Sequence, residues 1–309
     1  MFNASTITEF LFVGFPLIQE VQLLIFLLFL LIYFTTLLGN ILIITLVLST
    51  SQLKTPMYYF LCNLSFLEIW YISVTLPKML QDIFLSTHHI SVTGCIAQCY
   101  FFFVLGGIEN YLLAVMAYDR YLAICNPLRY SSIMSSVLCC KLAVGCWICS
   151  ILGSLLPLYW LGTLSFCGSN QINHFFCDVI PLLNISCTDT STLKTYFFVV
   201  VWNIIFGCLF FTFLSYIKII LTILKIPSRS GKSKAFSTCV SHLTVVVIYY
   251  GSVMLIYVRS PKGKTFEFDK IISVFYAVVT PLLNPIIYSL RNIEVRNALI
   301  FSKIRLCAN

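Results

Sequence analysis

The chain has 309 residues, of which 60% are hydrophobic and 10% are charged, and it carries a formal net charge of +8. An ordinary soluble domain has about 25% charged residues, so this composition excludes that class. The positive charge is confined to short segments between long apolar runs, and a nucleic-acid-binding surface is therefore not its explanation.

The N-terminal segment MFNASTITEF has neither a basic start nor an apolar core. We therefore expect no cleavable signal peptide, and the first membrane span has to serve as the insertion signal. Residues 1–22 are predicted to precede that span. Asn3-Ala4-Ser5 matches the glycosylation sequon and predicts a sugar on Asn3, while a second sequon leaves open whether Asn184 is also modified.

Long uncharged segments predict membrane-spanning helices. Five intervals without Asp, Glu, Lys or Arg are each long enough for the roughly 20 apolar residues of a span. Two more segments qualify if each holds one buried acid, Glu68 and Glu109. No segment alternates strictly over about 10 residues, which excludes an outer-membrane barrel. The fold class is thus an all-α membrane protein with a seven-transmembrane helix bundle, and the predicted spans are residues 23–49, 57–80, 94–125, 139–163, 194–225, 233–258 and 268–291.

The distribution of basic residues predicts how the bundle is oriented. The side that carries the C-terminus has 13 basic residues and two acids, whereas the other side has 6 basic residues and 7 acids. Lys and Arg accumulate on the cytoplasmic side of membrane proteins. We therefore expect a multi-pass plasma-membrane protein with an extracellular N-terminus and a cytoplasmic C-terminus.

Residues 292–309 form the predicted cytoplasmic tail. Ile293, Ile300 and Ile304 share one helix face, and Arg296 and Lys303 lie elsewhere on that helix. This pattern predicts a short amphipathic helix on the membrane surface, in contact with lipid.

Most of the 14 cysteines fall within spans or on the inner side, where a small apolar packing residue is expected. Cys95, Cys167, Cys177 and Cys187 instead lie on the predicted outer side, and four cysteines allow three disulfide connectivities. The HFFCD segment also leaves open a metal site that uses His174 and Cys177.

Polar side chains recur at one depth in the membrane. Glu109 lies 11 residues from Arg120, or about 16 Å along a helix, and Asn40, Glu68 and Asn284 reach similar levels. Two carboxylates at one depth repel each other when both are ionised, so they should share a proton or a cation. A sodium or proton site that biases the packing of the bundle is one interpretation. A hydrogen-bonded cluster that merely fixes helix register is the other.

Two further segments predict elements that change conformation. In PLLNPIIYSLRN, Pro285 removes a backbone hydrogen bond and kinks the seventh span, and Asn284 is placed to bond the freed carbonyl groups. In MAYDRYLAICNPLRY, Asp119 and Arg120 neutralise each other where the third span leaves the membrane. An arginine held in this way can be released to another partner, which defines a two-state element.

These segments together resemble the rhodopsin-like G-protein-coupled receptors and, within that class, the olfactory receptors. The resemblance covers the whole chain and is carried by the segments GN, TPMYYFLCNLSFLE, MAYDRYLAICNPLRY, KAFSTCVSHLTVV and PLLNPIIYSLRN. Tyr59 stands where that family usually has Phe, Glu68 stands where it usually has Asp, and IYYG replaces the usual FYG.

The resemblance implies roles for individual residues. It implies disulfides Cys95–Cys177 and Cys167–Cys187, and a conformational switch in which Arg120 is the lock and Asp119 its partner. The implied switch residues are Asp119, Arg120, Tyr121, Tyr216, His242, Asn284, Pro285 and Tyr288. It also implies an odorant receptor that couples to a stimulatory olfactory-type heterotrimeric G protein and raises cyclic AMP. The basic residues between spans five and six would rim the G-protein crevice, although positive-inside charge also accounts for them.

The ligand is expected in the outer half of the bundle, among apolar and aromatic side chains that suit a small, mostly apolar volatile molecule. No acid lies between residues 98 and 108 and no Lys between 271 and 290, which disfavours an amine and excludes a retinal Schiff base. The predicted lining residues are Phe102, Phe103, Gly106, Gly107, Val200, Val201, Ile204, Tyr250, Val253, Met254, Tyr257, Val274 and Ala277.

The sequence leaves other classes of protein open. A transporter or channel would use Glu68 and Glu109 as a proton relay, but no internal repeat is evident. A receptor for a peptide or a lipid is the nearer alternative. Since no metal-ligand spacing or nucleophile motif occurs at a plausible depth, we expect no enzyme and no cofactor other than a sodium ion at Glu68 and Glu109.

Overall fold

The computed structural model of the chain describes residues 7–14, 19–85, 87–167, 169–257, 266–291, 295 and 298. Three expectations therefore lie outside the described part: the sugar on Asn3, the side chain of Tyr257 and, apart from two residues, the amphipathic helix of the tail.

Seven long helices form a bundle, and within the described ranges seven helices are long and apolar enough to cross a membrane. This confirms the predicted fold class. The first six are α1 Gln19–Ser49, α2 Pro56–Leu85, α3 Val92–Cys125, α5 Ser136–Gly162, α7 Ser191–Lys225 and α8 Arg229–Tyr257. The seventh span consists of α9 Phe266–Val274, a π-helical segment Phe275–Val279 and α10 Thr280–Arg291. Two short helices, α4 Pro127–Ile133 and α6 Val179–Ile185, lie in the connections, and a 3₁₀ turn covers Ser51–Leu53.

The outer surface of the bundle is apolar. On α1, Leu24, Leu31 and Leu38 are spaced seven residues apart and therefore lie on one helix face, where they are 67%, 64% and 66% exposed. Such a stripe is unfavourable in water and is suited to lipid chains. The buried polar side chains face the interior instead.

The third span is the central element, since α3 contacts α2, α5, α7 and α8. It begins at a Ser91 cap, whose hydroxyl accepts a hydrogen bond from the Gly94 amide at 3.1 Å. It ends at Cys125 because Pro127 disfavours helical geometry at Asn126, which has φ −131° and ψ 53°. Pro127 then starts α4, which folds back beside the end of α3.

A three-stranded sheet covers one end of the bundle. Its strands are β1 Glu9–Phe12, β2 His89–Ser91 and β3 Gln171–Ile172, in the order β2-β1-β3. The N-terminal strand β1 runs antiparallel to β2 and parallel to β3. The Nζ of buried Lys270 donates to the Gly14 carbonyl at 2.9 Å, which also ties the segment after β1 to the seventh span. The predicted N-terminal segment thus contains a strand that sequence analysis did not anticipate.

Two disulfides lie at the same end. Cys95 pairs with Cys177 across a Cα–Cα distance of 5.3 Å, and Cys167 pairs with Cys187 across 5.8 Å. The Cys177 amide also donates to Oε1 of Gln98 at 2.9 Å, so the loop after α5 is held against α3. We call this end of the bundle the disulfide end, and the opposite end, where α3 finishes, the Arg120 end.

Candidate functional site

A cavity of about 80 Å³ lies inside the bundle towards the disulfide end. Its wall is built from α2, α3, α5, α7, α8 and the π-helical segment, together with Asp178 from the loop before α6. One buried water needs roughly 10–15 Å³ on this scale, so the space suits a ligand of roughly five to eight non-hydrogen atoms. Seven of the predicted residues line it: Phe102, Phe103, Gly106, Gly107, Val201, Ile204 and Val253.

The remaining described predictions lie beside the cavity and not on its wall. On α8, Tyr249 and Val253 face the cavity, and the predicted Tyr250 and Met254 are each one position further along the helix. One residue corresponds to a rotation of about 100° around a helix axis, which turns both side chains away. The same one-position offset removes Val200 and Ala277 from the wall, and Val274 lies two positions before the lining residue Tyr276.

The fourth span contributes residues that sequence analysis missed. The prediction drew its lining from the third, fifth, sixth and seventh spans only, whereas α5 contributes small residues at one helical face: Cys149, Ser150, Gly153 and Ser154. That run of small side chains at i, i+1, i+4 and i+5 was visible in the sequence and would have identified the face. The other missed residues are Tyr71, Asn110, Asp178, Ile205, Tyr249 and Tyr276.

Aromatic rings give the cavity a rigid wall. Phe102 packs against Phe176, Tyr71 and Tyr276, with ring centroids 4.7, 5.0 and 5.4 Å apart. Packed rings of this kind present apolar area with little conformational freedom to lose on binding. They can hold an apolar ligand by dispersion contacts.

The polar part of the wall centres on Asn110 and Tyr249. The Asn110 amide nitrogen donates to the Gly106 carbonyl at 2.8 Å and to the Tyr249 hydroxyl at 2.6 Å. The Tyr249 hydroxyl in turn donates to the same Gly106 carbonyl at 3.0 Å. Tyr249 occupies the first tyrosine of IYYG, the position at which this chain departs from the FYG pattern of the family it resembles.

Two serines on α5 complete the polar part. Ser150 donates its hydroxyl hydrogen to the Val104 carbonyl at 2.6 Å, and Ser154 donates to the Ser150 carbonyl at 2.7 Å. Gly107 makes the first contact possible, because a Cβ at that position would overlap the Ser150 hydroxyl. The small residue therefore lets α5 approach α3 closely.

An acid also lines the cavity, although none lies between residues 98 and 108. Asp178 caps α6, and its carboxylate accepts a hydrogen bond from the Val179 amide at 2.7 Å. The expectation took account of α3 only, whereas this carboxylate reaches the cavity from a loop that the Cys95–Cys177 disulfide holds in place. The absence of an acid between residues 98 and 108 thus does not disfavour an amine on its own.

The polar side chains predicted at one depth are all buried, and three of them lie together. The Asn284 amide donates to Oε1 of Glu68, and Glu109 lies within electrostatic range of Glu68. Asn284 was expected to bond carbonyls freed by Pro285, but its amide bonds Glu68 instead. Asn40 donates to the Thr36 carbonyl of its own helix at 3.0 Å.

Three oxygen atoms among these four side chains are buried without a hydrogen-bond donor from the residues that the structure describes. They are Oδ1 of Asn40, Oε2 of Glu68 and Oε1 of Glu109. A buried oxygen without a donor is unfavourable, and a water molecule, a cation or, on a carboxylate, a proton can satisfy it. The donor set fits a hard monovalent cation such as sodium.

At the Arg120 end, Asp119 does not pair with Arg120 as predicted. No ion pair within 4.0 Å joins the two side chains in the described part of the chain, and the Tyr130 hydroxyl of α4 donates to Oδ1 of Asp119 at 2.8 Å. Neighbouring residues on a helix point about 100° apart, so Asp119 faces α4 and Arg120 faces the interior. Burial, and then the Asp119 carboxylate, raise the pKa of Tyr130 well above its usual range.

The interior next to Arg120 contains the remaining switch residues. Arg120 is buried and exerts its charge on Tyr216, His242 and Tyr288. The Tyr216 hydroxyl and Nδ1 of His242 are 2.7 Å apart and share a hydrogen bond. The structure therefore brings Arg120, Tyr216, His242 and Tyr288 together, while Tyr121 packs its ring against Tyr118.

The metal interpretation of HFFCD is wrong, because the Cys177 sulfur is bonded to Cys95. Nε2 of His174 lies 3.2 Å from the Ser273 hydroxyl instead, which joins the loop to the seventh span. Burial, and then the charge of Lys270, lower the pKa of His174 to about 3. Among the described residues, no three His, Cys, Asp or Glu side chains are grouped as metal ligands.

The seven long helices are arranged as in a known membrane-protein structure. The crystal structure of squid rhodopsin superimposes with a TM-score of 0.74, over 93% of this chain and 82% of that one, at 18% identity. This likeness establishes the fold of the chain.

The sequence comparisons then define the family. A family model described as olfactory receptor matches residues 29–305. Olfactory receptor 6B1 of Homo sapiens is 51% identical over 297 residues, which cover 96% of this chain and 95% of that receptor. Olfactory receptor 6F1 of Homo sapiens is 49% identical over 298 residues, with 96% and 97% covered. Olfactory receptor 287 of Rattus norvegicus is 49% identical over 297 residues, with 96% of both chains covered.

The chain therefore belongs to the olfactory receptor family. It is an odorant receptor, a multi-pass plasma-membrane protein that couples to a G protein, and it is not an enzyme. Family membership also sets aside the transporter, channel and peptide- or lipid-receptor alternatives.

Proposed function

We propose that the odorant binds in the cavity at the disulfide end and that binding there activates a stimulatory heterotrimeric G protein, which raises cyclic AMP. The observation that carries this proposal is the cavity itself. It combines a packed aromatic wall with a small polar region, and its size suits a volatile molecule. The predicted residues Phe102, Phe103, Gly106, Gly107, Val201, Ile204 and Val253 contribute apolar contacts there.

The orientation that we propose places the disulfide end outside the cell. Disulfides form and persist in oxidising surroundings, and both are at this end. The excess of Lys and Arg in the connections at the Arg120 end supports a cytoplasmic location for that end.

The G-protein site would then lie at the Arg120 end. Outward movement of α8 would open an apolar crevice next to Arg120, with Lys218, Lys225 and Arg229 exposed around its rim. A helix of the G protein can dock into such a groove. Lys232 and Lys234 belong to the same basic segment.

We also propose that Glu68 and Glu109 hold a sodium ion or a shared proton that stabilises the resting packing. The three unpartnered oxygens described above support this site. Glu109→Gln removes one charge at nearly constant volume, and Asn63→Asp adds one on a half-buried side chain of α2 as a control. If dose–response curves at high and low sodium shift equally in the Glu109→Gln variant and the unaltered chain, the proposal of an ion site is wrong.

A cyclic-AMP assay in cells that co-express the stimulatory olfactory G protein tests the proposed function. We expect a dose-dependent rise for at least one small volatile compound and its loss in Arg120→Ala at unchanged surface expression. Phe102→Ala should weaken the response, because it removes ring contacts from the cavity wall. Phe210→Ala is a matched control, since Phe210 is 63% exposed on the outer face of α7. Equal losses in both Phe variants would contradict the location of the ligand.

A further inference from the structure

The polar region of the cavity has an imbalance between hydrogen-bond donors and acceptors. Asn110 is 5% exposed, and both N–H bonds of its amide are used, one on the Gly106 carbonyl and one on the Tyr249 hydroxyl. Its carbonyl oxygen, Oδ1, accepts no hydrogen bond from any residue within the described ranges. A buried acceptor without a donor is unfavourable, because it has lost its hydrogen bonds to water and gained none in the protein.

The orientation of the Asn110 amide is fixed by its neighbours. A peptide carbonyl can only accept hydrogen bonds, so the Gly106 oxygen requires the nitrogen of the amide and not its oxygen. An amide flip would place two oxygens against each other at the 2.8 Å separation and would lose that bond. Oδ1 is therefore held as an unpartnered acceptor in a side chain that lines the cavity.

The hydroxyl groups of Tyr249, Ser150 and Ser154 cannot supply the missing donor, because their hydrogens are already engaged. The Tyr249 hydroxyl donates to the Gly106 carbonyl, and Ser150 and Ser154 donate to carbonyl groups of α3 and α5. Each hydroxyl has one hydrogen, so these oxygens can only accept further hydrogen bonds. The polar region built by Asn110, Tyr249 and the two serines therefore accepts hydrogen bonds.

We propose that the ligand donates a hydrogen bond from an O–H group to Oδ1 of Asn110, so that this receptor selects alcohols and phenols over ethers, aldehydes and ketones of the same size. The inference rests on the proposed location of the odorant in this cavity. The aromatic wall holds the carbon skeleton, and the single polar contact sets the chemical class. Tyr249 acts as a positioning residue, because it occupies one amide N–H and keeps that donor from the ligand.

The selectivity follows from the cost of an unpaired group. A ligand with only acceptor atoms places its oxygen near the Asn110 and serine oxygens, and neither side can then donate. Sites built to bond a polar group discriminate more strongly than apolar pockets, for this reason. We expect an alcohol to be at least about tenfold more potent than its isomeric methyl ether, a difference that equals about 1.4 kcal/mol.

The first test compares ligands on the unaltered receptor. Linear, branched and cyclic skeletons are each presented as the alcohol, the isomeric methyl ether, the carbonyl compound, the alkane and the primary amine, all with the same number of heavy atoms. We expect the alcohol to lead on every skeleton that elicits a cyclic-AMP response. Ethers or carbonyl compounds as potent as the alcohols would overturn this inference alone. Silence to the whole panel at confirmed surface expression would overturn the proposed function with it.

The amine series separates two anchors within the cavity. An amine more potent than the alcohol on the same skeleton would assign the contact to the Asp178 carboxylate and would overturn the role of Asn110. With Asn110 as the anchor, the neutral alcohol is at least as potent, because an ammonium group has to lose more hydration on entering the cavity.

The second test uses substitutions that change selectivity and not only potency. Tyr249→Phe frees one N–H of Asn110, so carbonyl compounds should gain about tenfold relative to alcohols. Asn110→Leu removes the acceptor, and the alcohol-to-ether ratio should fall below about threefold. Asn203→Leu and Tyr159→Phe are matched controls on outward faces. Asn203 donates to the Val199 carbonyl of α7, and Tyr159 is 67% exposed. Both controls should keep the ratios of the unaltered chain.

A merely structural role gives a different result. If Tyr249→Phe and Asn110→Leu lower the responses to all ligand classes by the same factor, the residues support the fold and do not select the ligand. That outcome would overturn the inference even though odorant responses remain.

Discussion

The hydrogen bond from Tyr130 to Asp119 predicts that Tyr130→Phe raises signalling in the absence of odorant. The substitution removes one hydroxyl from α4 and leaves its ring in place. Asp119 is 1% exposed, so its carboxylate loses a partner at a site where water replaces it poorly. Hydrogen bonds to charged groups contribute roughly 1.5–3 kcal/mol, and we take the lower value because this end of the helix borders solvent.

A loss of about 1.5 kcal/mol from the resting state alone shifts a two-state equilibrium by roughly tenfold. A receptor that is about 1% active without ligand would become about 10% active. The reasoning requires that Tyr130 releases Asp119 when α3 and α4 rearrange. If the hydrogen bond were equally strong in the resting and active states, its loss would leave the equilibrium between them unchanged.

The assay is cyclic AMP without odorant, normalised to the number of receptors at the cell surface. Tyr118→Phe is a suitable control, because Tyr118 precedes Asp119 directly and packs its ring against Tyr121 and Phe211. We expect a rise of several-fold in Tyr130→Phe and none in the control. Unchanged basal signalling in Tyr130→Phe, at equal expression, would refute the role of this hydrogen bond in holding the resting state.

Three further predictions concern the disulfide end and the cavity wall. Cys95→Ser should lower the melting temperature of the purified receptor more than Cys167→Ser. The Cys95–Cys177 bond joins cysteines 82 residues apart and the Cys167–Cys187 bond joins cysteines 20 residues apart. The loss of chain entropy in the unfolded state makes these bonds stabilising by about 4.5 and 3 kcal/mol. The pKa of His174 is lowered from 6.5 to about 3 in the folded chain. As the pH falls below 6.5, the histidine is therefore protonated in the unfolded chain only. The free energy of unfolding should fall by about 1.5–2 kcal/mol between pH 6.5 and 5. His174→Gln should therefore flatten the dependence of melting temperature on pH, and an unchanged slope would show that other groups cause it. Gly107→Ala should push Ser150 away at a cost of about 1–3 kcal/mol and weaken odorant responses, whereas Gly145→Ala on α5, with nothing within 4 Å of the added carbon, should not.

The membrane spans could be predicted from sequence because the bilayer imposes a simple rule. A span has to be continuously apolar for roughly 20 residues, and interruptions such as Glu68 are conspicuous. The strand Glu9–Phe12 could not be predicted in this way. It has only four residues, and its partners are a short segment before α3 and another after α5, which are distant in sequence.

The lining of the cavity could be predicted from the sequence only in part. Assigning a residue to the correct helix is easier than assigning it to the correct face, because one position corresponds to about 100°. Val253 and Met254 illustrate this, since one lines the cavity and the other does not. The π-helical segment Phe275–Val279 adds a further change of phase, and it places Tyr276 on the wall in preference to the predicted Ala277. Nothing in the hydropathy pattern of the seventh span indicates that change.

The partner of Asp119 could not be predicted for a related reason. The motif places an acid beside an arginine, but adjacent residues on a helix do not face each other. Tyr130, 11 residues later, reaches Asp119 only because Pro127 turns the chain and α4 folds back against α3. The sequence therefore contained the correct residues, and the pairing depended on the connection between two helices.

The position of Asn110 gives the bundle a short physical connection between its two buried polar regions. Asn110 lines the cavity at the disulfide end, and its neighbour Glu109 belongs to the cluster with Glu68 and Asn284. One turn of a single helix therefore presents an amide to the cavity and a carboxyl group to the cluster. A ligand that shifts this turn of α3 changes the separation of Glu109 from Glu68 without any intermediate chain of contacts. If an odorant bound in the cavity alters the binding of a cation or proton at the carboxyl cluster, that binding alters odorant affinity by the same factor, because coupling between two sites is reciprocal in free energy.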